Sequence, residues 1–176
     1  YTQLPDNLRA ELEPLVSGAR DSLQTSTDAL LTQKLAQGIA RYVMNSAAYS
    51  LDTPRVPDGE DFALWFLRES DTGYCVHFAT ATALLLRAAN IPARYVTGYY
   101  FQTTGGQWTD VTEDDAHAWV EYYLDGYGWQ VIDPTPAAQE EVSAPEPDKT
   151  PEQKPETRET GEQPKAPNEP EPTTPE

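Results

Sequence analysis

The chain has 176 residues, with 29 acidic and 12 basic side chains and a formal net charge of −17. Negative charge repels phosphate, so this composition argues against binding to nucleic acid or to an anionic membrane surface. A single cysteine excludes an internal disulfide. No apolar run approaches the ~20 residues that a membrane-spanning helix needs.

The first part of the chain predicts helices. A short helix is expected over residues 7–15, limited by Pro14, because proline has no N–H to donate. Residues 27–49 predict a longer amphipathic helix, with Ser26, Thr27 and Asp28 as candidate N-caps. A further short helix is expected over residues 62–67. The apolar positions of the long helix share one face: Leu31, Leu35, Ile39, Tyr42 and Val43.

Residues 75–90 carry apolar side chains on every side, which is typical of a buried helix. Ile91-Pro92 ends it, because the residue before a proline avoids the helical region. Residues 93–101, 116–124 and 129–133 then predict strands, with a loop at residues 103–106. Helices followed by antiparallel strands predict an α+β fold in which N-terminal helices and a buried helix pack on a sheet.

The composition changes at residue 137. Residues 137–176 contain 9 prolines, 11 acidic and 4 basic residues, and no aromatic residue, Ile, Leu or Met. Such a segment cannot bury enough apolar surface to offset the entropy of ordering it. We therefore expect a folded domain over residues 1–136, followed by a disordered acidic linker rich in Pro and Glu.

The only cysteine, Cys75, opens the buried helix, and His117 and Asp133 follow in the strands. Unpaired N–H groups and the helix dipole at a helix start stabilise a negative sulfur. Cysteine, histidine and a carboxylate are the parts of an acyl-transfer site with a thiolate nucleophile. In such a site His117 takes the thiol proton and Asp133 orients the imidazole.

Successive side chains of a strand point to opposite faces of the sheet, so the register of two paired strands decides which residues share a face. This strand parity tests whether His117 and Asp133 can lie close together. A two-residue turn after Leu124 would place them on opposite faces of the sheet. A three-residue loop that pairs Leu124 with Gly128 places them on one face as diagonal neighbours. The site therefore requires this longer loop or a bulge.

His77 is a competing base, but residues i and i+2 of a helix do not face each other. Two histidines and one cysteine lack the clustered spacing of a zinc site. No acidic loop has the spacing of a calcium site, and the acidic residues 110–115 are interpreted as a solvated loop. We expect neither a metal nor a cofactor.

Four blocks of sequence resemble the transglutaminase-like superfamily and, within it, the bacterial membrane-bound transglutaminase-like proteins. In chain order they are GYCVHFATA (73–81), LRAANIPARYVTGY (86–99), DAHAWVE (115–121) and GWQVIDPTP (128–136). The resemblance implies a papain-like core in which the central helix carries the nucleophile Cys75 and the sheet carries its base, His117, with Asp133. It implies acyl transfer on protein or peptide amides.

Two other functions stay open. One is a cysteine peptidase or cell-wall amidohydrolase that uses the same three residues with water as the acceptor. The other is a binding or assembly module that keeps the fold without catalysis. Trp119, Tyr99 and Trp65 are candidates for lining a substrate cleft.

The resemblance also implies a cellular setting. Related proteins carry several membrane helices before such a domain and one after it. We therefore expect a piece of a longer, membrane-anchored protein on the extracytoplasmic face of a bacterial membrane. The expected partners are a protein or peptide substrate, such as a cell-wall peptide, and the domain is expected to be monomeric.

Overall fold

In the computed structural model, which describes residues 1–25 and 28–136, helices come first and a three-stranded antiparallel sheet comes last. The helices are α1 (Asp6–Thr25), α2 (Ala29–Met44), α3 (Phe62–Arg68) and α4 (Cys75–Ala88), and the strands are β1 (Ala48–Tyr49), β2 (Thr72–Gly73), β3 (Ala93–Tyr99), β4 (Ala116–Leu124) and β5 (Gly128–Ile132). This order confirms the α+β prediction. The predicted linker at residues 137–176 lies outside the described residues.

Helix α4 is the centre of the core. Phe78, Leu85 and Leu86 are fully buried, and the helix packs between α1, α2 and α3 on one side and β3 and β4 on the other. The prediction of a buried helix from residue 75 is therefore confirmed. The helix ends two residues earlier than predicted: Asn90 adopts a φ of 62°, and the N–H of Ile91 bonds to the carbonyl of Leu86 at 2.9 Å, which together form a Schellman cap.

Helix α1 is longer than predicted. It continues through Pro14 to Thr25, whereas the sequence suggested an end near residue 15. Leu8, Leu12 and Val16 lie on one face on both sides of the proline, and all three are buried. Packing of this face outweighs the single backbone hydrogen bond that Pro14 removes.

Helix α2 is shorter than predicted. Asp28 is its N-cap, because its Oδ1 accepts a hydrogen bond from the N–H of Leu30 at 2.9 Å; Ser26 and Thr27 lie outside the described residues. The helix ends at Met44, where Ser46 donates to the carbonyl of Val43 from both its N–H and its Oγ, at 3.0 and 2.7 Å. The predicted helix through residue 49 is therefore wrong.

The residues after α2 form a short strand that the sequence did not predict. Ala48 and Tyr49 of β1 pair in parallel with Thr72 and Gly73 of β2. A two-residue strand shows no alternation of apolar and polar positions, so no sequence period indicates it.

The second sheet has the order β3-β4-β5. Strand β5 pairs with β4 in the register Leu124↔Gly128, which is the three-residue loop that strand parity requires. Gly126 and Gly128 have φ values of 77° and 82°, a conformation that glycine adopts without strain. Within residues 1–25 and 28–136, no helix has the length and apolar character to cross a membrane.

Candidate active site

Cys75 is the first residue of α4. Tyr74 before it is in the extended conformation and acts as the N-cap. The N–H groups of Cys75 and Val76 therefore have no acceptor inside the helix, whereas the N–H of His77 bonds to the carbonyl of Tyr74 at 2.8 Å. The side chain is partly buried and faces a cavity of about 620 Å³.

Two walls enclose this cavity. The helical wall consists of residues from β1 and the loop after it, and from the start of α4 with its N-cap: Tyr49, Leu51, Tyr74, Cys75 and Val76. The sheet wall consists of residues from β3 and β4: Tyr95, Thr97, Gly98, Tyr99, Ala116, His117 and Ala118. A substrate carbonyl in the cavity would therefore lie between the cysteine and the histidine.

His117 is bonded to Asp133. The distance from His117 Nε2 to Asp133 Oδ2 is 2.6 Å, and the other carboxylate oxygen, Oδ1, accepts the N–H of Thr135 at 3.0 Å. His117 is the second residue of β4 and Asp133 follows β5, so the two are diagonal neighbours across the hairpin. Since Nε2 is engaged with Asp133, Nδ1 is the ring nitrogen that remains for proton transfer. Among the described residues, no hydrogen bond joins Cys75 to His117.

Comparison with known proteins identifies the family of this chain. Residues 19–134 match the model of the transglutaminase-like superfamily. The chain belongs to that superfamily. It is 33% identical over 143 residues to the uncharacterized protein YebA of Bacillus subtilis, which covers 77% of this chain and 19% of YebA. It is 41% identical over 99 residues to a protein-glutamine gamma-glutamyltransferase of Pseudomonas aeruginosa, covering 55% of this chain and 14% of that protein.

A solved structure supports the same relationship. The periplasmic domain of TgpA from Pseudomonas aeruginosa superimposes with a TM-score of 0.59 at 34% identity, covering 76% of this chain and 44% of that chain. The predicted papain-like transglutaminase core is therefore confirmed. The chain spans about a fifth or less of the length of the two sequence relatives.

The three aromatic residues predicted to line a cleft in this transglutaminase-like domain occupy different places. Tyr99 lines the cavity that contains Cys75. It also lines a neighbouring cavity of about 310 Å³, together with His117, Trp119 and Asp133. The ring of Trp119 stacks on His117, with centroids 6.3 Å apart. Trp65 packs against the core from α3 and lines neither cavity.

Glycine at position 98 lets the indole of Trp119 approach β3 closely. A Cβ at this position would lie 2.7 Å from Cη2 of Trp119. The close approach holds the indole beside the ring of His117.

His77 has a structural environment. Its side chain is 4% exposed and lies among the rings of Phe62, Phe66 and Tyr74, with centroid distances of 4.7, 5.4 and 4.5 Å. Its Nδ1 accepts the N–H of Tyr74 at 3.4 Å, which only an unprotonated nitrogen can do. Burial lowers the pKa of His77. This histidine does not line the cavity that contains Cys75.

The acidic residues before His117 are closer to the site than the sequence suggested. Residues 113–115 form a short 3-10 helix, in which Asp115 Oδ2 accepts the N–H of Thr112 at 2.8 Å. Glu113 and Asp114 line the cavity that contains Cys75. The interpretation of residues 110–115 as a solvated loop is therefore incomplete. Their position a few residues before His117 is the signal that could have placed them there. Within the described part of the chain, no group of three or more His, Cys, Asp and Glu side chains is arranged to hold a metal.

Proposed function

We propose that this domain catalyses cysteine-dependent acyl transfer on protein or peptide amides. The observation that carries the proposal is the 2.6 Å bond between His117 and Asp133 at a cavity that also contains Cys75 at the start of α4. A nucleophile at a helix start, a base across the same cavity and a carboxylate that orients the base are the elements of covalent acyl transfer.

Each group has one task in this mechanism. Nδ1 of His117 takes the thiol proton, and Sγ of Cys75 attacks the carboxamide carbon. The resulting oxyanion collapses, the C–N bond breaks, and His117 returns the proton to the leaving ammonia or amine. Asp133 stabilises the imidazolium that forms between these steps. A thioester on Cys75 remains.

The acceptor decides the product. An amine gives an exchanged amide or an isopeptide, whereas water gives deamidation or cleavage. The name of the Pseudomonas aeruginosa relative, a protein-glutamine gamma-glutamyltransferase, favours an amine acceptor and a glutamine donor.

We also propose that the domain acts, as a monomer, on the extracytoplasmic face of a bacterial membrane. The TgpA domain that it resembles is periplasmic. Residues 137–176 have the composition of a spacer, and 40 residues in polyproline geometry reach ~120 Å. Such a tether would suit large or surface-bound substrates, including cell-wall peptides. Protease treatment of intact cells and spheroplasts tests the location: a domain that is protected until the cytoplasmic membrane breaks contradicts it.

Incubation with casein and a dansyl-labelled primary amine tests the activity, with Cys75→Ala as the control. Amine incorporation that depends on Cys75 supports acyl transfer. Cleavage or deamidation alone, dependent on Cys75, supports a cysteine hydrolase. Neither activity in a folded wild-type protein supports a non-catalytic module and contradicts the proposal.

A further inference from the structure

Attack on an amide carbonyl creates a negative oxygen that needs hydrogen-bond donors. The N–H of Cys75 is one such donor, because it lies in the first turn of α4 and has no acceptor inside the helix. A second donor has to come from another element that lines the same cavity.

Tyr49 is held beside the nucleophile by backbone pairing. Strand β1 places it opposite Gly73, which precedes Cys75 by two residues. The N–H of Ala48 bonds to the carbonyl of Asp71 at 2.9 Å, and the N–H of Ser50 bonds to the carbonyl of Gly73 at 2.7 Å. The backbone before and after Tyr49 is therefore hydrogen-bonded to residues 71 and 73. These bonds fix the position of Tyr49 relative to the start of α4, where Cys75 lies.

Gly73 is itself fixed in the core. A Cβ on this residue would lie 2.6 Å from the ring of Phe66 and 3.1 Å from Cβ of His77. The close packing leaves β2 little room to move, so the pairing of β1 with β2 gives Tyr49 a defined distance from the start of α4.

Tyr49 lies on the helical wall, whereas His117 lies on the sheet wall. The base and the oxyanion donors act on different sides of the reacting carbonyl, because the base must reach the thiol and the leaving amine while the donors must reach the oxygen. A hydroxyl on the wall that also provides the N–H of Cys75 meets this requirement.

The hydroxyl of Tyr49 is available as a donor. Among the described residues it has no hydrogen-bond partner. Burial raises the pKa of Tyr49, and the nearby sulfur of Cys75 raises it further. The phenol therefore keeps its proton at neutral pH and lies close enough to Cys75 to respond to the charge on the sulfur.

We propose that Tyr49 donates the second hydrogen bond to the oxyanion formed at Cys75. As Sγ bonds to the carbonyl carbon, the π electron pair moves onto oxygen, where the Tyr49 O–H and the Cys75 N–H stabilise it. The pair returns to re-form C=O as the C–N bond breaks, with the proton on the leaving amine supplied by His117. This assignment rests on Cys75 as the nucleophile of the proposed function.

Tyr95 provides a matched control. It lines the same cavity, and burial and the sulfur of Cys75 also raise its pKa. It belongs to β3, however, and so comes from the sheet wall, where it lies opposite Val120 of β4. Removing its hydroxyl changes the polarity of the cavity by the same amount as removing that of Tyr49.

The experiment measures two reactions of Cys75 in Tyr49→Phe, Tyr95→Phe and the wild type. Acylation by p-nitrophenyl acetate passes through an oxyanion and releases a burst of nitrophenolate, which Cys75→Ala should lack. Alkylation by iodoacetamide uses the same sulfur but forms no oxyanion. We expect Tyr49→Phe to slow acylation by about 100-fold, as is found when one oxyanion donor is removed, with alkylation unchanged. Tyr95→Phe should match the wild type in both reactions.

Several results would overturn the assignment: wild-type acylation in Tyr49→Phe, an equal loss in both variants, or an alkylation rate that falls together with acylation. The absence of a Cys75-dependent burst in the wild type would overturn it as well. A burst in the wild type without transfer or cleavage of amides would instead count against the proposed function alone, and the comparison of the two tyrosines would remain valid.

Discussion

The two walls of the cavity are stabilised in different ways, and each contains or adjoins one of the two histidines. Behind the helical wall, His77 is packed among aromatic rings and is 4% exposed. On the sheet wall, the side chain of His117 is 19% exposed and bonds to Asp133, whose side chain is 42% exposed. Burial without a charge partner favours a neutral, structural imidazole, whereas a carboxylate partner at an open cavity supports proton transfer.

The largest expected effect comes from removing the sheet-wall histidine. We expect His117→Ala to lower acyl transfer by about 1000-fold, since general base catalysis contributes this order of rate enhancement. Amine incorporation into casein measures the loss. Thermal unfolding serves as the control and should change little, because the imidazole is not part of the buried core. An active His117→Ala protein would assign the base elsewhere.

Replacing the carboxylate should cost less. In Asp133→Asn the amide oxygen can still accept the N–H of the imidazole and orient the ring, but the counter-charge to the imidazolium is lost. We expect a loss of about 100-fold, toward the lower end of general base contributions, with a slower reaction of Cys75 with iodoacetamide. Unchanged transfer and alkylation rates would separate Asp133 from the chemistry.

The part of the helical wall that comes from β1 was harder to predict from the sequence than the rest of the cavity. Cys75 and the buried helix that it opens stand out because apolar residues surround every face of residues 75–88, and strand parity anticipated the Leu124↔Gly128 register. The continuation of α1 past Pro14 depends on tertiary packing that no local signal records. Tyr49 was assigned to a helix, because a two-residue strand becomes visible only when β2 is beside it.

The contrast between the two histidines also predicts that His77, which is packed behind the helical wall, contributes to stability. His77→Asn keeps an acceptor for the N–H of Tyr74 but loses the ring contacts with Phe62 and Phe66. We expect a loss of about 2 kcal/mol in the free energy of unfolding, within the usual range for a buried substitution. Acyl transfer per folded molecule should stay near the wild-type value. A folded His77→Asn protein without activity would contradict a structural role.

Replacing His77 by asparagine should also change how the free energy of unfolding depends on pH. Because burial lowers the pKa of His77, the unfolded chain takes up a proton near pH ~6.5 while the folded protein does not. This contribution to the free energy of unfolding is therefore fully present above pH ~6.5. It is lost as the pH falls from ~6.5 toward the lower pKa that His77 has in the folded protein. Unfolding temperatures from pH 7.5 to 5 should therefore fall more steeply for the wild type than for His77→Asn. Parallel curves would mean that another group causes the acid dependence.

The smallest expected effect concerns the acidic residues that line the cavity beside the sheet wall. Glu113 and Asp114 face the same cavity as Cys75, so they attract a cationic amine more than neutral water. Exposed charge pairs contribute up to about 1 kcal/mol, and we expect Glu113→Gln with Asp114→Asn to raise KM for a primary ammonium acceptor by about fivefold or less. Salt should reduce the difference between this variant and the wild type. The control, Asp110→Asn with Asp125→Asn, removes the same charge from residues that do not line this cavity; an equal rise in KM there would mean that net charge alone attracts the amine.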